Sequence, residues 1–122
     1  MVSYKYHKEE DFFEFIYSDV VSYGEVAETI YKLKEKYPEI EYIKFLVDPE
    51  NADYKLLKKN DPQEEKKLVD ALSSYKKVRA GVVHTNTEKT ALSVLAEKKL
   101  KQRNYEHEIF FSRDAALDWL LA

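Results

Sequence analysis

Ile40-Glu41-Tyr42-Ile43-Lys44-Phe45-Leu46-Val47 is the stretch on which the fold turns. Its second half is apolar at successive positions, as in a strand covered on both faces, and the expected strand stops at Asp48-Pro49. On its N-terminal side the period is helical, with Val26, Ile30, Leu33 and Tyr37 on one stripe. Ser22 and Glu25 form a capping box at the start of that helix, with Ser22 accepting from the Glu25 backbone and the Glu25 carboxylate reaching back; Pro38 ends it, giving a helix over about residues 22 to 37. On the C-terminal side Asp61-Pro62-Gln63-Glu64 opens a second helix, with Asp61 as cap, Pro62 in the first turn and Leu68, Leu72 and Tyr75 as the buried stripe. A two-faced strand between two amphipathic helices is the repeating unit of a parallel sheet.

Working outward, Val2 to His7 alternates apolar and polar, and Phe13, Phe15 and Tyr17 resume the alternation after a polar break at Lys8 to Asp11. This predicts a β-hairpin, with Tyr4 and Tyr6 near Phe13 and Phe15 on one face and Lys5, His7 and Glu14 on the other. Toward the C-terminus, Val78 to Val83 reads as a strand, and Thr85-Asn86-Thr87-Glu88 as a second capping box for a helix that buries Leu92, Leu95, Ala96 and Leu100. Tyr105 to Phe111 is a last strand, and Ser112 caps a short helix carrying Ala116, Trp119 and Leu120. Glu50 to Asn60 has little regularity and is expected to be an ordered loop. The resulting order, β-β-α-β-α-β-α-β-α, predicts an α/β sandwich: a mostly parallel sheet of about five strands with an antiparallel N-terminal edge and four helices, in one domain over residues 1–122.

Composition narrows the function classes. Twenty Lys and Arg are interleaved with 23 Asp and Glu, so there is no polybasic footprint for nucleic acid and no acidic tail. With no cysteine, disulfide scaffolds, thiolate zinc sites and thiol nucleophiles are excluded. No apolar run approaches the ~20 residues of a membrane helix, and Met1-Val2-Ser3-Tyr4-Lys5 lacks the build of an export signal, so a cytoplasmic location is expected.

Few residues carry chemistry. Gly24 and Gly81, the two glycines, do not make a phosphate-binding loop, and no cofactor is indicated. Ligands in open α/β sheets favour the carboxyl ends of strands, which selects Asp48 to Asn51, then His84, Thr85 and Asn86, then Ser112 with Arg113, as a surface for a ligand or partner. His84, Asp48 and Ser112 are the residue types of a hydrolytic triad, but no serine sits in a nucleophile elbow and a helix cap already accounts for Ser112. His7 and His107 lie on strands without metal-ligand spacing, and Asp48, Glu50 and Asp53 lack the order of a calcium loop. Ten tyrosines, among them Tyr23, Tyr31, Tyr54 and Tyr75, either fill half-buried sites or present an interface, for which the aromatic ring and hydroxyl are suited.

The C-terminal third carries a family likeness. The strand Val78-Arg79-Ala80-Gly81-Val82-Val83, a Thr-rich turn, a helix, and then Glu108-Ile109-Phe110-Phe111-Ser112-Arg113-Asp114-Ala115-Ala116-Leu117-Asp118-Trp119-Leu120 resembles small bacterial SpoIIAA-like proteins. The element order extends the resemblance over nearly the whole chain, to the STAS-like fold shared broadly with lipid-carrying CRAL-TRIO domains. It implies a non-enzymatic regulatory or protein-interaction domain, with a protein partner or self-association. The alternative it implies is a carrier or sensor of a small apolar, lipid-like ligand with a pocket near Trp119 and Tyr54. Anti-sigma-factor antagonists of this kind are switched by phosphorylation of a serine opening the helix after the central strand. Here the loop reads Val47-Asp48-Pro49-Glu50-Asn51-Ala52-Asp53 and Asp61 caps the helix, so the chain departs from that pattern. Phe111, Ala116, Trp119 and Leu120 are expected to dock the last helix on the sheet.

Overall fold

Tyr4 pairs with Phe15 and Tyr6 with Phe13 in an antiparallel hairpin, β1 (Val2–His7) against β2 (Phe12–Val20), in the register the alternation predicts. The turn closes through Asp11, which is left-handed (φ 59°) and donates its N–H to the His7 carbonyl at 2.8 Å; aspartate tolerates that backbone better than most side chains. The remaining elements are α1 (Tyr23–Lys36), β3 (Tyr42–Asp53), α2 (Pro62–Ser73), β4 (Lys77–Val83), β5 (Tyr105–Phe110) and α3 (Arg113–Leu120). The structure, a computed structural model, describes residues 1–53, 61–83 and 104–122, with the backbone alone at 50–53. Of the four expected helices, three are among the described residues; the one opened by Thr85 to Glu88 lies outside them, as does the segment bearing Tyr54.

The strands form one sheet in the order β1-β2-β3-β4-β5, antiparallel at the β1–β2 edge and parallel elsewhere. One face of the sheet, through Phe13, Phe15, Phe45, Val47, Val78 and Val82, packs on α1 and α2 and holds the main core. Strand alternation sends Phe12 and Leu46 to the opposite face, where with Ala116 and Leu120 of α3 they make a second, smaller core.

The caps form much as the sequence dictates. Ser22 accepts from Glu25 N–H at 3.2 Å, Asp61 accepts from Gln63 and Glu64 N–H, and Ser112 accepts from Ala115 N–H at 3.2 Å. Glu25 differs from expectation: its carboxylate accepts the Val2 N–H of β1 at 2.8 Å instead of closing the box. Asn104 ties the end of α2 to the sheet, donating from its amide to the Leu72 and Tyr75 carbonyls, both at 2.9 Å.

β3 does not stop at Asp48-Pro49. It continues to Asp53, so the expected loop from Glu50 begins as strand. The reason lies in the pairing: Ile16 faces Asp48 but Ser18 faces Asn51, so two residues of β3, Pro49 and Glu50, sit opposite the single residue Tyr17. Proline has no N–H to give to a ladder, and a bulge that skips it lets the strand resume beyond. Pairing with β4 has already ended at Val47–Val82, so the proline interrupts one neighbour only.

Candidate functional site

α1, α2 and α3 all begin at the sheet end where β2, β3, β4 and β5 finish. The parts of the expected surface are placed differently from the expectation. Asp48 and Asn51 lie within β3 and not in a loop beyond it, because the bulge carries the strand past them. Ser112 is the α3 cap, and Arg113 follows as the first helical residue. His84, Thr85 and Asn86 fall outside the described residues, and with them the proposed triad of His84, Asp48 and Ser112.

Arg113 reaches across the second face to a residue the sequence reading placed only as a polar strand position. Its two terminal nitrogens donate to the two carboxylate oxygens of Glu14, at 2.5 and 3.0 Å, a fork-to-fork pair between residues 99 apart in sequence. His7, diagonal to Glu14 across the β1–β2 ladder, places Nε2 2.9 Å from the same carboxylate, and its ring stacks on its ladder partner Phe12 with centroids 4.4 Å apart. The Arg113 guanidinium holds the Glu14 carboxyl below the usual carboxylate range, against a partial burial that pushes it up; His7 adds to the lowering. Glu14 in turn raises Arg113, with Asp48 and Asp114 contributing through their charge. The two terminal nitrogens of Arg113 are engaged by the two oxygens of Glu14, so the group is a clamp between sheet and helix. The available signal for Glu14 was its place beside His7 on one face of the hairpin; its partner from the far end of the chain left none.

A cleft of about 450 Å³ opens between the N-termini of α1 and α2, lined by Ser22, Gly24, Glu25, Glu28, Asp61 and Glu64 among others. Gly24 lets the Glu64 carboxylate approach the first turn of α1, since a Cβ there would stand 2.9 Å from its oxygen. Lys67 pairs with Glu28 at 3.2 Å on the rim. Carboxylates dominate this lining, which is the wrong surface for an apolar tail. Among the described residues no group of three or more His, Asp or Glu is arranged to hold a metal ion, and no helix is long and apolar enough to cross a membrane.

Expectations for the aromatics divide. Tyr23 and Tyr75 are buried in the main core and cannot present an interface, whereas Tyr31 and Tyr42 are exposed. Ala116 and Leu120 dock α3 as expected, and Trp119 lies against Phe110 and Gly81 with the Arg79 guanidinium 4.3 Å over its ring. Phe111 does not dock: β5 ends at Phe110, whose ring takes the place beside Trp119, and Phe111 is left 74% exposed.

Against solved structures, the chain is similar to an uncharacterised protein of the DUF3478 family with a SpoIIAA-like fold from Shewanella loihica PV-4. The match spans 98% of this chain and 92% of that one, with a TM-score of 0.64 and 17% sequence identity. The fold is SpoIIAA-like. At that identity the likeness extends to the SpoIIAA-like architecture, the mixed five-stranded sheet and its antiparallel edge, and stops there. Neither a family model nor a curated protein matches the sequence.

Proposed function

We propose that the chain is a single, non-enzymatic, cytoplasmic SpoIIAA-like interaction domain that binds a protein at the carboxyl end of its sheet. The observation that carries this reading is Phe111, a large aromatic 74% exposed immediately before the α3 cap. Two further apolar residues near that end of β2, Ile16 and Val20, are 42% and 43% exposed, and the charges of Asp48 and Arg113 lie close by. The proposed surface takes in Asn51 and Ser112, together with His84, Thr85 and Asn86, which follow the last residue of β4 in sequence. Exposed aromatics ringed by charge are what protein interfaces select. The carrier alternative puts its pocket near Trp119 and Tyr54, and Tyr54 lies outside the described residues.

Native mass spectrometry on protein purified gently from its source cells tests the reading. A second polypeptide or a second copy, lost in Phe111→Asp while circular dichroism is unchanged, is the expected result. A bare monomer in both proteins, or an added mass of a few hundred daltons released on denaturation, would overturn it.

A further inference from the structure

The second face of the sheet is covered differently from the first. Among the described residues α3 is the one helix on it, and it is eight residues long, well short of the ~12 to 15 that an isolated helix needs to persist in water. Its buried contacts form a separate cluster of Phe12, Leu46, Ala116 and Leu120, with Val83, Phe110, Leu117 and Trp119 partly buried around it. Each end of the helix is fastened to the sheet by an arginine. At the start, Arg113 of the helix grips Glu14 of β2. At the end, Arg79 of β4 donates to the Leu120 and Ala122 carbonyls at 3.4 Å, covers the Trp119 ring, and is itself held by Glu106 at 3.0 Å.

We propose that α3 is a strap: a unit that releases from the sheet while the main core stays folded, with the Arg113–Glu14 pair as its catch. Among the described residues, release needs the small cluster and two polar fastenings to part, and none of the contacts among α1, α2 and the other face. Among the described residues, what it bares is the apolar side of Phe12 on β2 and Leu46 on β3. The inference does not depend on which partner, if any, meets Phe111.

Trp119 is the only tryptophan in the chain and sits on the strap, so its fluorescence reports strap docking apart from the backbone signal of the sheet and of α1 and α2. In a urea titration of the full chain, the fluorescence transition is expected at lower urea than the far-ultraviolet circular dichroism transition. Glu14→Gln keeps the shape of the side chain and removes its charge. It is expected to increase the population of the released strap by about tenfold or more, moving the fluorescence transition while the circular dichroism transition changes little. Hydrogen exchange gives the second readout: amides of residues 116–121 should exchange at least about tenfold faster than those of Phe45 to Val47, and faster again in Glu14→Gln. Arg113→Gln, changed at an exposed helix end, repeats the test should the strand variant fold poorly. Coincident transitions in wild type and variants, or amides of α3 and β3 that exchange together, would overturn the proposal.

Discussion

Asn104 does for α2 what a C-terminal glycine does for other helices. Ser74 in the cap position is right-handed; its N–H reaches the Ala71 and Leu72 carbonyls and the Tyr75 N–H the Leu72 carbonyl, and the Asn104 amide adds a second donor to Leu72 and one to Tyr75, just past the helix, from across the sheet edge. Asn104→Ala leaves both carbonyls without that donor and should cost about 1 to 3 kcal/mol in urea denaturation, and Asn104→Asp, which has no N–H to offer, should rescue none of it. Glu14 gives a prediction with a sign in pH. Its folded pKa is depressed, so its contribution is present above the unfolded value near 4.5 and is lost as pH falls through the lower folded value. Among the described residues, His7, Arg113, Lys5 across the ladder and Asp48 beside Arg113 lie around it, and Arg113 dominates the lowering. Acid titration of wild type against Glu14→Gln, followed by Trp119 fluorescence, should therefore show the two proteins converging as pH drops below the usual carboxylate range.

At the scale of elements, the short α3 is where capping is most consequential. Ser112→Ala removes the acceptor for Ala115 N–H and should destabilise by about 1 kcal/mol, seen in the fluorescence transition of Trp119. Much of this level was legible in the sequence because its causes are local: the hairpin register followed from alternation of Tyr4, Tyr6, Phe13 and Phe15, and the helix starts from Ser22, Asp61 and Ser112. Three things were not legible, for one reason. The continuation of β3 past Pro49 depends on the tail of β2 being there to pair with it, and the grip of Arg113 on Glu14 on two ends of the chain meeting. The exposure of Phe111 depends on Phe110 having already filled the space beside Trp119. The first two are contacts between distant segments and the third is a choice between neighbouring rings at one strand end, and periodicity and capping signals encode neither.

The whole molecule has two cores of unequal size and a set of buried phenols in the larger. Burial pushes Tyr23 and Tyr75 up to about 12, and raises Tyr17 as well, because a phenolate there would lose its water. A raised folded pKa means the fold's advantage is complete below the unfolded value of 10.0 and is lost as pH climbs through about 12. Alkaline titration should accordingly show a shared step, with ionisation of these tyrosines in ultraviolet absorbance coinciding with loss of circular dichroism. The outer rim of β1 has a further consequence. In its ladder Met1 and Ser18 exchange hydrogen bonds, so Val2, Tyr4 and Tyr6 turn their backbone groups away from β2, and Glu25 occupies the N–H of Val2. A strand with a bare rim can recruit others from solution and seed fibrils; the carboxylate of Glu25 stands where one of those recruiting bonds would form and carries a charge that a stacking chain would have to bury. The capping box left open on α1 is thus matched by a gatekeeper against amyloid, and in Glu25→Ala long incubation at high concentration should bring fibrils sooner than thermal stability alone would foretell.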